Sequence, residues 1–207
     1  MKVLFIDTET TGLPNDFYAS YTDIENWPRL VQCSWILKDY DTGARFDNDY
    51  IIFPEPEVLF IPKESTKIHG ITTRIAREFG KCLYGVFRLL QEDLNKADLI
   101  VAHNFWFDSH IIMAEAIREK NDEIIKAFRE KRSFDTMLFC TDLCKIEKEG
   151  DVYKWPKLSE LYRFLFNKDF QGAHNSLNDI RATMEIYDEL KERGIIDETT
   201  YTGEPYL

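Results

Sequence analysis

Val3-Leu4-Phe5-Ile6-Asp7-Thr8-Glu9-Thr10-Thr11-Gly12 is the stretch that decides how this chain is read. Its four apolar residues read as a buried strand, and two carboxylates one residue apart follow at the strand's exposed end. Two acids that close repel each other and are costly to desolvate. A fold that holds them together usually offsets their charge with a hard, oxygen-seeking divalent cation. The structural alternative is a polar turn that closes the strand.

Two later segments bear on that choice. His103-Asn104-Phe105-Trp106-Phe107-Asp108 follows the apolar run Leu99-Ile100-Val101-Ala102 and precedes Ile111, Ile112, Glu115, Ala116 and Ile117 at helical spacing, so Asp108 sits where a strand hands over to a helix. His174-Asn175-Ser176-Leu177-Asn178-Asp179 opens a second helical pattern marked by Ile180, Met184, Ile186, Tyr187 and Leu190. Asp179 falls in its first turn. Five residues of helix would turn His174 away from Asp179, which assigns the histidine to the preceding loop, able to reach over a site floored by the aspartate. Each residue has a bland reading too: Ser176-x-x-Asp179 matches a capping box, Asp108 a helix start, and His174 a loop histidine with its hydrogen bonds satisfied.

Taken together, the three segments resemble the DEDDh-type 3′–5′ exonucleases, the family of the proofreading subunit of bacterial replicative DNA polymerase, ribonuclease T and oligoribonuclease. Asp7 and Glu9 match its first motif, Asp108 its second, and His174 with Asp179 its third, in the family's order; Ile68-His69-Gly70-Ile71-Thr72 matches a turn of the family. The resemblance implies a two-metal site, with Asp7, Glu9 and Asp179 holding one Mg²⁺ or Mn²⁺ ion and Asp7, helped through water by Asp108, a second. His174 would be the general base, its unperturbed pKa lying near neutrality. Nucleoside 5′-monophosphates would leave one at a time from a 3′ end. Substrate contacts are expected from Thr10, from Leu13 as an apolar wedge against the terminal base, and from His69, His103, Asn104 and Phe107. Phe105, Trp106 and Phe107 offer a stacking surface for unpaired bases, though core packing is the expected fate of at least two of them. Asp135, in Phe134-Asp135-Thr136, has no role that the sequence assigns.

Composition agrees with a single packed domain. The chain has 207 residues, of which 44% are hydrophobic and 14% aromatic, enough for one sizeable core. No segment approaches the roughly 20 apolar residues of a membrane span, and the first apolar run is too short for a secretory signal, so a cytoplasmic protein with no membrane partner is expected. Cys33, Cys82, Cys140 and Cys144 lack paired Cys-x-x-Cys spacing and read as reduced. The net charge of −11 runs against phosphate binding, but its distribution is uneven. Between Lys63 and Arg88, six cations (Lys63, Lys67, Arg74, Arg77, Lys81, Arg88) face only Glu64 and Glu78, a candidate surface for tracking a nucleic-acid backbone, or else ordinary solvated surface.

Read coarsely, strands fall at 2–7, 30–38, 46–53, 99–102 and 133–135. Helices fall at 72–79, 84–97, 107–119, 122–131, 157–166 and 177–193, with Asp41-Thr42-Gly43 as a hairpin turn. That order predicts an α/β fold with a mixed sheet, and the family resemblance implies a ribonuclease H-like, mixed five-stranded sheet flanked by helices. Residues 1–195 are expected to form one exonuclease domain and 196–207 a tail. The expected partner is nucleic acid with a free 3′ end; a polymerase or a homodimer partner is left open. Single-stranded DNA is the favoured substrate. The alternatives are an RNA-trimming exoribonuclease of the same family or a catalytically silent scaffold that binds nucleic acid.

Overall fold

Five strands form one mixed sheet in the computed structural model, which describes residues 1–53, 60–148, 150, 152–170, 172, 175–197 and 200. They are β1 (Lys2–Thr10), β2 (Leu30–Asp39), β3 (Arg45–Ile51), β4 (Leu99–Ala102) and β5 (Arg132–Asp135), side by side in the order β3-β2-β1-β4-β5. β2 runs antiparallel to both β1 and β3, whereas β4 is parallel to β1 and to β5. β1 is therefore the middle strand. Its side chains alternate between the two faces of the sheet, so each face needs its own cover.

The helices supply that cover. They are α1 (Lys63–His69), α2 (Thr73–Phe79), α3 (Leu83–Lys96), α4 (Phe105–Arg118), α5 (Asp122–Glu130), α6 (Thr136–Phe139), α7 (Thr141–Cys144), α8 (Leu158–Phe166) and α9 (Ser176–Glu192). On one face, Leu4 and Ile6 pack with Phe87 and Leu90 of α3, Ile111 and Ile112 of α4 and Phe128 of α5. On the other, Val3 and Phe5 pack with Leu161 of α8 and Ile180 and Tyr187 of α9. Phe5 is fully buried with its ring edge-on to Tyr187, so truncating it to alanine should cost about 3–5 kcal/mol. The α/β architecture with a mixed five-stranded sheet is as expected.

Several elements differ from the sequence reading. β1 continues past residue 7 to Thr10, because Asp7 and Glu9 stay in register with Ser34 and Gln32 of β2; the ladder carries polar side chains as readily as apolar ones. β3 ends at Ile51 rather than at 53. α1 escapes a periodicity search, being seven residues between Pro62 and Gly70; Gly70 takes the left-handed conformation (φ 79°) and closes the helix through its N–H to the Thr66 carbonyl. α4 begins at Phe105 instead of 107, since the Asp135 carboxylate accepts the N–H groups of Asn104 and Phe105. All four cysteines are free. Among the described residues no helix is long and apolar enough to cross a membrane.

Candidate active site

Alternation along β1 puts Asp7 and Glu9 on one face, the face that carries Val3 and Phe5 and is covered by α9. α9 begins directly over them. Asn175 caps it by accepting the Asn178 N–H, and Ser176 reaches the sheet by a hydrogen bond between its Oγ and that of Ser34, the residue opposite Asp7 in β2. Ser176 is thus the first helical residue and not the cap of a capping box. That tether brings Asp179 down onto β1. One carboxylate oxygen each from Asp7, Glu9 and Asp179 lies within 4.8 Å of the others.

Asp108 approaches from the opposite side. It lies in the first turn of α4, almost fully buried, and its Oδ1 accepts the Thr8 hydroxyl at 2.7 Å. Thr8 points away from Asp7 and Glu9, so β1 sends acids to one face and their neighbour's anchor to the other. The start of α4 is fixed by Asp135, whose carboxylate accepts from Asn104 N, Phe105 N, Met137 N and Leu138 N at 2.8–3.2 Å and so caps α6 as well. Asp135 is a structural clamp on two helix starts. Asn104 sits between them in the left-handed conformation (φ 73°).

Asp7 and Glu9 have no ion pair and no side-chain hydrogen bond among the described residues. Burial, then repulsion from Asp108, Asp179 and Glu9, holds the Asp7 carboxyl well above the usual carboxylate range. Burial first and repulsion from Asp179 and Asp108 second push Glu9 up to about 8. Burial raises Asp108 to about 7 against the lowering effect of the Thr8 hydrogen bond. Hard oxygen donors converging on one point fit a divalent metal ion. Asp7, Glu9 and Asp179 are the residues that could hold it.

His174 lies outside the described residues. Thr10 is buried, and its hydroxyl donates to the Gly12 carbonyl, folding the chain back after β1. Leu13 is 70% exposed in the loop that follows. His69 is buried at the end of α1, its Nδ1 accepting the Ile71 N–H. Both ring nitrogens of His103 are engaged, Nδ1 with Thr136 Oγ1 and Nε2 with the Pro156 carbonyl, and burial lowers its pKa to about 4. Phe105 is buried against Phe128, while Trp106 and Phe107 are partly buried beside the same core, Trp106 packing on Trp27 and His110. Lys63, Lys67, Arg74, Arg77, Lys81 and Arg88 are all exposed. Sequence reasoning passed over Thr8 and Asp135, although period-2 alternation alone would have turned Thr8 toward whatever covers the second face.

Residues 4–187 match the family model described as exonuclease, of the RNase T type. No curated protein sequence matched. Similar folds include E. coli exonuclease I bound to a dT13 oligonucleotide (TM-score 0.69, 18% identity, 94% of this chain and 42% of that one). Another is exonuclease I from Methylocaldum szegediense (0.62, 19%, 93% and 40%). A third is a 3′-exonuclease solved for its 3′-end recognition of a histone mRNA stem-loop (0.67, 12%, 93% and 82%). At these identities the likeness establishes the fold, which is the expected ribonuclease H-like one. The chain spans about two fifths of the exonuclease I chains it matches.

Proposed function

The chain belongs to the exonuclease family, and from that premise we propose that it is a metal-dependent 3′–5′ exonuclease releasing nucleoside 5′-monophosphates from nucleic acid, with single-stranded DNA the favoured substrate. The observation that carries this reading is the convergence of one carboxylate oxygen each from Asp7, Glu9 and Asp179 within 4.8 Å of one another. A bound Mg²⁺ or Mn²⁺ pair would supply Lewis-acid charge at the scissile phosphate and make a nearby water more acidic. Every other part of the task falls to the chain.

Asp7, Glu9 and Asp179 would hold the metal's positive charge at the end of β1, where bare carboxylates would repel a phosphate. Asp108, oriented by Thr8, adds acid from the side of α4. His174 takes the proton of the attacking water, the role the third motif implies. Water adds to phosphorus, the bond from phosphorus to the 3′ oxygen of the preceding nucleotide breaks, and that oxygen leaves as a hydroxyl. Leu13, exposed beside the strand end, presses on the terminal base; Thr10, His69, His103, Asn104 and Phe107 shape the walls around it. Residues 1–195 act as one exonuclease domain in the cytoplasm, and a polymerase or a second copy of the chain is the kind of protein partner to look for. RNA trimming is the second reading, favoured by the likeness to the 3′-exonuclease solved with a histone mRNA stem-loop.

A gel time course on 5′-labelled single-stranded DNA and RNA of matched sequence tests this, with Mg²⁺, Mn²⁺ or EDTA and Asp7→Ala as the contamination control. A ladder shortening from the 3′ end, abolished by EDTA and by the substitution, is the expected result, and the faster strand names the substrate. Folded protein that binds both strands and shortens neither would instead be a silent scaffold.

A further inference from the structure

On the face of the sheet that carries the acids, antiparallel pairing aligns two rows of side chains across β1, β2 and β3. Asp7 lies opposite Ser34, which lies opposite Asp49; Glu9 lies opposite Gln32, which lies opposite Ile51. Strands are about 4.8 Å apart, so Gln32 is the immediate lateral neighbour of the carboxylate cluster. A cavity of about 290 Å³ opens there, lined by Gln32, Asp49, Tyr50, Phe79, Lys81 and Asn175 among others. β4 lies on the other side of β1, so the carboxylate cluster stands between this cavity and β4.

The lining is unusual for an incidental crevice. Gln32 is 3% exposed, its Nε2 donates to Asp49 Oδ1 at 2.7 Å, and its Oε1 has no hydrogen-bond partner among the described residues. A buried amide oxygen left unpaired is costly unless a ligand donor completes it. Phe79 presents a ring that is 59% exposed, and Lys81 is an exposed cation with no ion pair among the described residues. Both are held firmly. Lys81 N donates to the Ile51 carbonyl and Phe53 N to the Lys81 carbonyl, each at 2.8 Å, and a Cβ on the intervening Gly80 would meet the Phe53 backbone at 2.6 Å. The close approach made possible by Gly80 thus pins an aromatic ring and a cation to the edge of β3.

An aromatic face, a cation and an unsatisfied acceptor are what one nucleotide uses for its base, its phosphate and a sugar or base donor. We propose that this cavity is the subsite for the nucleotide upstream of the scissile phosphate, the one whose 3′ oxygen leaves, with Phe79 stacking on its base and Lys81 pairing with its phosphate. The proposal rests on the exonuclease reading above. It also gives the exposed cations Arg74 and Arg77 of α2 a direction: they lie on the helix that ends at Phe79, where the rest of the strand would run.

The test compares two substrates. The p-nitrophenyl ester of thymidine 5′-monophosphate carries a single nucleotide with nothing upstream, whereas a short oligothymidylate fills both flanks. Phe79→Ala and Lys81→Ala, both at exposed positions, are each expected to raise KM for the oligonucleotide about tenfold while moving kcat/KM for the ester less than about twofold. Equal losses on both substrates, or no change on the oligonucleotide, would overturn the subsite. A wild-type protein that hydrolyses neither substrate would sink the exonuclease reading itself, and the subsite with it.

Discussion

A buried acid and a pair of half-buried ones in this molecule meet opposite fates. Glu115 of α4 is 1% exposed, and its Oε1 accepts from Arg29 Nε at 2.8 Å and Leu30 N at 3.0 Å, with Arg118 at 3.1 Å. Arg118 in turn donates to the carbonyls of Ile24 and Trp27, so one carboxylate ties the long connection between β1 and β2 to α4. Its charge is answered from within the chain. Among the described residues Asp7 and Glu9 meet nothing of the kind, and their carboxyls are driven upward by burial and by the neighbouring acids. A buried acid with its own guanidinium is part of the fold; a half-buried cluster of acids without one is suited to a cation from outside.

Substitution should separate the two. Asp7→Asn is expected to lower turnover about a thousandfold, the several kcal/mol that charge stabilisation at phosphorus contributes, while the denaturant midpoint holds or rises because a repulsion is relieved. A fall in stability with unchanged turnover would erase the distinction. Glu115→Ala should do the reverse, costing about 3–5 kcal/mol in urea unfolding by stranding Arg29 and Arg118, with the turnover of the molecules that remain folded little altered.

The difference also has a pH signature. Glu9 titrates at about 8 in the folded protein against an ordinary 4.5, so the folded state keeps a proton that the unfolded chain releases. Stability from this group is complete below about pH 4.5 and is lost as pH rises through about 8. Melting in EDTA should therefore occur at a lower temperature at pH 8 than at pH 6. Added Mg²⁺, competing with those protons, should stabilise the fold more at pH 8 than at pH 6, by up to about 2.7 kcal/mol at a hundredfold excess over Kd. A Mg²⁺ increment that is the same at both values would disconnect the metal from the acids. The smallest effect expected is that of Thr8→Val, which strands the Asp108 acceptor: about 1–3 kcal/mol in unfolding, and a loss of activity well short of that of Asp7→Asn.

Much of the site was legible in the chain because its motifs sit at element ends that local pattern reveals. Leu99–Ala102 read as a strand and is one, so Asp108 fell at a strand-to-helix junction as expected. Asp179 fell in the first turn of α9 by the same logic. What local pattern missed was short or long-range. α6 and α7, four residues each, have too few positions for a period to show. Asp135 looked like the end of a strand, and only the fold brings it, across 31 residues of chain, to the N–H of Asn104.

The sequence alone determined the alternation of strands and helices, the acids and histidine that match the exonuclease motifs, and the position of Asp7 and Glu9 on a common face once β1 was recognised, because period 2 is a local property of extended backbone. Tertiary structure decided the rest. The antiparallel register of β1 and β2 chose Gln32 as the neighbour of Glu9, and the bond between Ser34 and Ser176, 142 residues apart, lowered α9 onto the acids. Nothing local distinguishes Glu115, which found two arginines, from Glu9, which found none among the described residues. Compensation of a buried charge depends on which distant segments the packed fold brings within a few ångströms of it.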